Sequence, residues 1–144
     1  MTNAYRMTIG AEPGEVARVS AAFAEFAEAH ALPDSVRRSV HVALDELLAN
    51  TIAHGFAGRG GEVTVEVELR RDRVAVTLSD DGRPFDPFGM AAPDTELSVE
   101  ERRIGGLGVH LVRQMMDEAS YQRRGDRNVV VLAKLLTDGT AGHR

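Results

Sequence analysis

The run EVTVEVELRRDRVAVTLSDDG, residues 62–82, alternates apolar and polar side chains, breaks at Arg71-Asp72, and alternates again. A period of two is the mark of a strand with one buried face, so the two halves read as strands of a hairpin joined by a tight turn. The second strand runs straight into Ser79-Asp80-Asp81-Gly82. That places two acids and a glycine where a sheet ends.

On the N-terminal side the period changes. AYRMTIG (4–10) reads as a first strand stopped by Gly10 and Pro13. In GEVARVSAAFAEFAEAHAL (14–32), Val16, Val19, Phe23, Phe26 and His30 recur at steps of three and four, which is one buried helical stripe. Arg18 stands on the opposite face among Ala21, Ala22 and Ala29, a flat surface open to a partner unless the alanines serve only helix formation. Pro33 breaks this helix. Asp34 or Ser35 is placed to cap a second one that runs to about His54, with Val40, Ala43, Leu44, Leu47, Leu48 and Thr51 facing inward.

On the C-terminal side, RPFDPFGMAAPDTELSVEERR (83–103) loses all periodicity and is longer than an ordinary connection, as lids and disordered segments are. Order returns in GGLGVHLVRQMMDEA (105–119), where glycines open a helix carrying Val109, Leu111, Val112 and Met116. Strand-like runs at 119–125 and 128–136 follow, then a polar tail at 137–144. This order of elements predicts an α+β domain with helices packed on one face of a largely antiparallel sheet.

A chain of 144 residues accommodates one domain with a single sizeable core. The absence of cysteine excludes disulfides, thiolate metal sites and cysteine nucleophiles. A formal charge of −5 argues against direct binding to nucleic acid or anionic membranes. Without an apolar stretch of a signal peptide or of a bilayer span, the expectation is a cytoplasmic protein.

Three short stretches could carry chemistry. In DELLANTIAHG (45–55), Glu46 and Asn50 lie one helical turn apart at the margin of the apolar stripe. A carboxylate can take a proton or orient a nucleophile, and a carboxamide oxygen suits Mg²⁺, although both residues could equally be solvent-facing. Asp80 can accept a hydrogen bond from an exocyclic amine, and Gly82 allows a sharp turn or close approach to a flat ligand; a plain turn is the alternative. Gly105, Gly106 and Gly108 open a helix whose free N–H groups and dipole suit a phosphate, an arrangement also found with no phosphate bound. No Walker-type loop and no parallel dinucleotide fold is present.

Taken together and in this order, these stretches resemble the N, G1 and G2 boxes of the GHKL (Bergerat-fold) ATP-binding superfamily over roughly residues 5–136. Within it, DELLANTIAHG, DDGRPFDP and GGLGVHLVRQMMDE are most similar to bacterial anti-sigma factor serine/threonine kinases of partner-switching systems. The resemblance implies a two-layer sandwich with helices on one face of a mixed, largely antiparallel sheet, one domain over 1–144, and an ATP lid at about 83–104. It implies Glu46 as general base, Asn50 as Mg²⁺ ligand and Asp80 as acceptor for the adenine amine. Gly82, Gly106 and Gly108 would shape the nucleotide site, with Gly105, Leu107 and Val109 in the same cradle.

The implied substrates are ATP and a STAS-domain anti-sigma factor antagonist. A sigma factor or equivalent target would be the other partner, and the chain would form a homodimer. The competing expectation is a nucleotide-regulated binding module without useful catalysis. Two departures stand out: Pro84 where many members have a second glycine, and no evident threonine to support the adenine-binding acid, for which Asn128 is the candidate. His54 is expected to cap its helix. A phosphohistidine role for His41 is poor, because the acceptor-bearing hairpin of a histidine kinase is not seen. Arg102 and Arg103 could touch the terminal phosphates on lid closure, or simply be solvated.

Overall fold

The computed structural model describes residues 3–56, 60–89 and 107–137. Strands β1 (Ala4–Gly10), β2 (Glu62–Leu69), β3 (Arg73–Asp80), β4 (Glu118–Arg124) and β5 (Arg127–Leu135) form a sheet in the order β1-β2-β3-β5-β4. Helices α1 (Val16–Ala29), α2 (Asp34–His54) and α3 (Leu107–Met115) complete the described elements, with short 3-10 turns at Pro13–Glu15 and Pro87–Gly89. Every described strand pairing is antiparallel, so the sheet is more uniform than the mixed one expected.

Register explains which face the helices cover. Val63, Val65 and Val67 of β2 are buried together with Val74, Val76 and Leu78 of β3, Val130 and Leu132 of β5, and Ile9 of β1. Against this face α2 supplies Val40, Ala43, Leu44, Leu47 and Leu48, and α1 supplies Val19, Phe23 and Phe26. Helix α2 touches both α1 and α3, so its two flanks differ. The other sheet face is largely polar across β1 and β2, where the Thr8 and Thr64 hydroxyls lie 3.0 Å apart, whereas β5 puts Val129, Val131, Ala133 and Leu135 on it. The hairpin turn falls at Arg71-Asp72 as the alternation required, closed by Arg70 N–H donating to the Arg73 carbonyl at 2.8 Å. There the Arg73 guanidinium on Asp72 holds that carboxyl below its ordinary range.

Several local expectations differ. Leu111 points outward, 46% exposed, because α3 buries Val109, Val112 and then Met116 just past its end, and Leu111 lies off that stripe. In α1 the buried positions are Val19, Phe23, Phe26 and Ala27, with Val16 and His30 only half-buried. Neither Asp34 nor Ser35 caps α2: Pro33 occupies the cap position and no side chain bonds there. Arg18 pairs with Glu15 at 2.7 Å rather than standing alone on its face. His41 pairs with Asp45 at 3.3 Å.

Candidate functional site

The α2 flank that meets α3 carries the acid and the amide. Glu46 is half-buried, and a Cβ placed on Gly108, in the first turn of α3, would overlap its carboxylate. Any larger residue there would have to displace the end of the Glu46 side chain. One turn on, Asn50 is 5% exposed, and its carboxamide has no hydrogen-bond partner among the described residues. The donor type suits a hard cation. Among the described residues no cluster of three His, Cys, Asp or Glu could hold a metal by itself. Mg²⁺ tolerates that, since it is ordinarily held by one or two protein ligands, with waters and phosphates filling the rest.

Asp80 is the last residue of β3 and shares the core-facing side with Val74, Val76 and Leu78. It is therefore an acid at the end of an apolar row, 6% exposed. Its Oδ1 accepts from the Gly82 N–H and from Asn128 Nδ2, both at 2.9 Å. Both bonds fall on one oxygen, which leaves Oδ2 for an incoming donor.

Asn128 faces Asp80 in the β3–β5 register. Its Oδ1 accepts from the Tyr121 hydroxyl at 2.6 Å, the Phe85 N–H at 3.1 Å and Arg123 Nη1 at 3.2 Å. With three donors on that oxygen, the amide can only turn its NH₂ toward Asp80 and toward the Arg83 carbonyl, 2.7 Å away. Arg123 Nη1 also donates to the Gly82 carbonyl at 2.9 Å.

Gly82 is pressed against the end of α2, where a Cβ would come 2.5 Å from the Gly55 carbonyl oxygen. The next residue locks this contact: Arg83 N–H donates to the same oxygen at 2.9 Å, and its guanidinium donates twice to the His54 carbonyl, at 3.0 and 2.8 Å. The expected capping by His54 is thus replaced. Arg83 satisfies the helix end, while His54 Nε2 is buried without a partner among the described residues and its ring lies 6.0 Å from that of Phe85.

The stretch expected to begin the lid is fastened over 83–89. Phe85 N–H reaches Asn128, Pro87 is buried, and the Arg113 guanidinium of α3 sits 5.5 Å from the Phe88 ring centre. The rest of that segment lies outside the described residues, as do Gly105, Gly106, Arg102, Arg103, the Leu107 side chain and the tail beyond 137. Val109 is buried in the core at 2% exposure, so it could serve a ligand only through its backbone.

Sequence reading missed Arg83, Tyr121 and Arg123. Alternation along 119–125 hints that 121 and 123 share a face, but nothing local says that this face meets Asn128. Among the described residues no helix is long and apolar enough to cross a membrane.

Comparison with known proteins agrees with this geometry. Residues 9–134 match the model of the histidine kinase-like ATPase domain. The serine/threonine-protein kinase BtrW of Bordetella bronchiseptica is 31% identical over 99 residues, covering 67% of this chain and 69% of that one. The serine-protein kinase RsbW of Listeria monocytogenes is 35% identical over 82 residues, covering 54% of this chain and 52% of that one, so the match spans about half of that kinase. A crystal structure of the RsbU and RsbW domains of a Mycobacterium tuberculosis protein superposes with a TM-score of 0.68 at 17% identity, over 93% of this chain and 32% of the other. At that identity the likeness is one of fold.

Proposed function

The chain belongs to the histidine kinase-like ATPase domain family, and from that premise we propose that it is an ATP-dependent protein serine/threonine kinase acting as an anti-sigma factor. Its protein substrate is a STAS-domain anti-sigma factor antagonist, and its other partner is a sigma factor or an equivalent target. The observation that carries this reading is the approach of Glu46 to the glycine in the first turn of α3, one turn from the amide of Asn50, which has no partner among the described residues. A site that only bound a nucleotide would have no use for a carboxylate there.

In this reading the free Oδ2 of Asp80 accepts the exocyclic amine of adenine, and the backbone at Gly82 lets the base lie flat against the turn. The entry of α3 receives the phosphates, because its N–H groups and dipole favour anions. Asn50 would hold Mg²⁺, which when bound supplies charge neutralisation at the phosphates. Glu46 orients the acceptor hydroxyl and takes its proton as the serine or threonine oxygen bonds to the γ-phosphorus. The bond from that phosphorus to the bridging oxygen breaks, and ADP leaves.

The phosphorylated antagonist carries about two negative charges at the surface it used for binding, which favours its release and frees the kinase for its other partner. The protein works in the cytoplasm as a homodimer. Purified chain incubated with labelled ATP, Mg²⁺ and the STAS-domain proteins of its own genome should transfer label to a serine or threonine of one of them. Tight binding to such a protein with no transfer would instead make the chain a nucleotide-regulated sequestering module.

A further inference from the structure

A cavity of about 720 Å³ lies on the outer side of α2, between that helix and the turn that leads from β1 into α1. It does not include Asn50, Asp80 or Gly82, and it meets the candidate site at one residue, Glu46. We propose that this groove seats the acceptor loop of the protein substrate, and that it selects a serine or threonine with a basic residue close by in the chain. The inference rests on the kinase reading above and deepens it.

The floor of the groove is apolar, with Val16, Ala49, Ile52 and Phe56 among its lining residues, whereas its rim is acidic. Among the described residues three carboxylates line it, from Glu12, Asp45 and Glu46, and no basic side chain does. Their positions divide their work. Asp45 is already committed, accepting from the Ser20 hydroxyl at 2.6 Å and pairing with His41 at 3.3 Å. Glu46 has α3 against its other side at Gly108, so a macromolecular acceptor reaches it from the groove. Glu12 is exposed on the opposite wall and makes no side-chain hydrogen bond or ion pair among the described residues.

A loop lying along the floor would therefore present its hydroxyl to Glu46 and its cation to Glu12. A volume of this size is that of an ordinary ligand pocket, enough for a few side chains but not for a flat protein surface. Burial of the apolar side chains supplies affinity. An exposed charge pair adds little to it and mainly discriminates against acidic loops.

The probe is the STAS-domain protein that accepts label in the assay above. Ala49→Arg fills the exposed floor and Glu12→Lys reverses the rim, while Ala21→Arg on the outer face of α1 is the control. The expected result is a KM for the acceptor protein raised at least tenfold by Ala49→Arg and about two- to fivefold by Glu12→Lys, the worth of an exposed charge pair. The ATP dissociation constant and the rate at saturating acceptor should stay at wild-type values, and the control should be unaffected. Replacing the basic residue beside the phosphorylated site with glutamate should weaken the wild type and restore Glu12→Lys.

Wild-type acceptor KM in both folded groove variants, checked by circular dichroism, overturns the groove and leaves the kinase intact. A KM raised by Ala49→Arg alone, with no charge-swap rescue, overturns the basic-residue preference. If the wild type phosphorylates no STAS protein, kinase and groove fall together.

Discussion

At the scale of single residues, the proposed function gives three side chains separable tasks. If Glu46 handles the acceptor proton, Glu46→Gln keeps its size and should bind ATP normally while transfer falls by roughly 10²–10⁴-fold, the usual worth of a general base. Paired ATP titration and phosphorylation assays give the split, and a wild-type rate would remove Glu46 from the chemistry. Asn50→Ala should abolish Mg²⁺-dependent nucleotide affinity if, as proposed, its carboxamide holds the ion; isothermal titration with and without EDTA measures it, and unchanged metal dependence would contradict the assignment. Asp80→Asn should weaken ATP binding and narrow the preference over GTP, since an amide can offer a donor where the adenine amine already presents one. Competition between the two nucleotides reads this out. Equal discrimination in both proteins would move base recognition to another residue.

At the scale of elements, the α1–α2 junction shows a local rule met by an unusual residue. Leu32 N–H bonds the Ala27 carbonyl at 3.0 Å and Ala31 N–H bonds the Glu28 carbonyl at 3.2 Å, the paired bonds of a Schellman stop. Position 31 has φ 52°, where glycine ordinarily stands, yet it is an alanine. A left-handed alanine costs about 1–2 kcal/mol, and glycine loses part of that gain to its freer unfolded chain. Ala31→Gly should therefore stabilise the fold by roughly 0.5–1 kcal/mol, seen as a higher urea midpoint at unchanged slope. A lower midpoint would mean that the junction is held by Pro33 and the Leu32 contact instead. Pro33 was legible as a breaker, but the absence of a side-chain cap was not, because capping depends on where the preceding chain enters.

At the scale of the molecule, the antiparallel order β1-β2-β3-β5-β4 leaves β1 and β4 with one described neighbour each and gives β3 and β5 two. The strands that carry Asp80 and Asn128 are therefore interior ones, each hydrogen-bonded along both sides. Native-state hydrogen exchange should be slowest in β3 and β5 and faster in β4, since an amide opens with whatever surrounds it. Equal protection of β4 and β5 would point to a covered edge, as a dimer through that edge would provide. On the other edge, the half-buried Tyr5 carries a hydroxyl without a partner among the described residues, and burial pushes its pKa up.

Much of this was decided by the sequence alone. The periods of two and of three to four set the strands and helices, and the four-residue step from Glu46 to Asn50 put both on one flank of α2, because a helix fixes such neighbours by itself. The order of the three short stretches indicated the family. Tertiary structure decided what surrounds them. Asn128 reaches Asp80 across 48 residues of chain, Arg83 reaches the end of α2 across 29, and Glu46 meets Gly108 between two helices. Each of these contacts depends on strand register or on how one helix lies against another. Those are set by the joint packing of the whole core, which no local pattern of residues encodes.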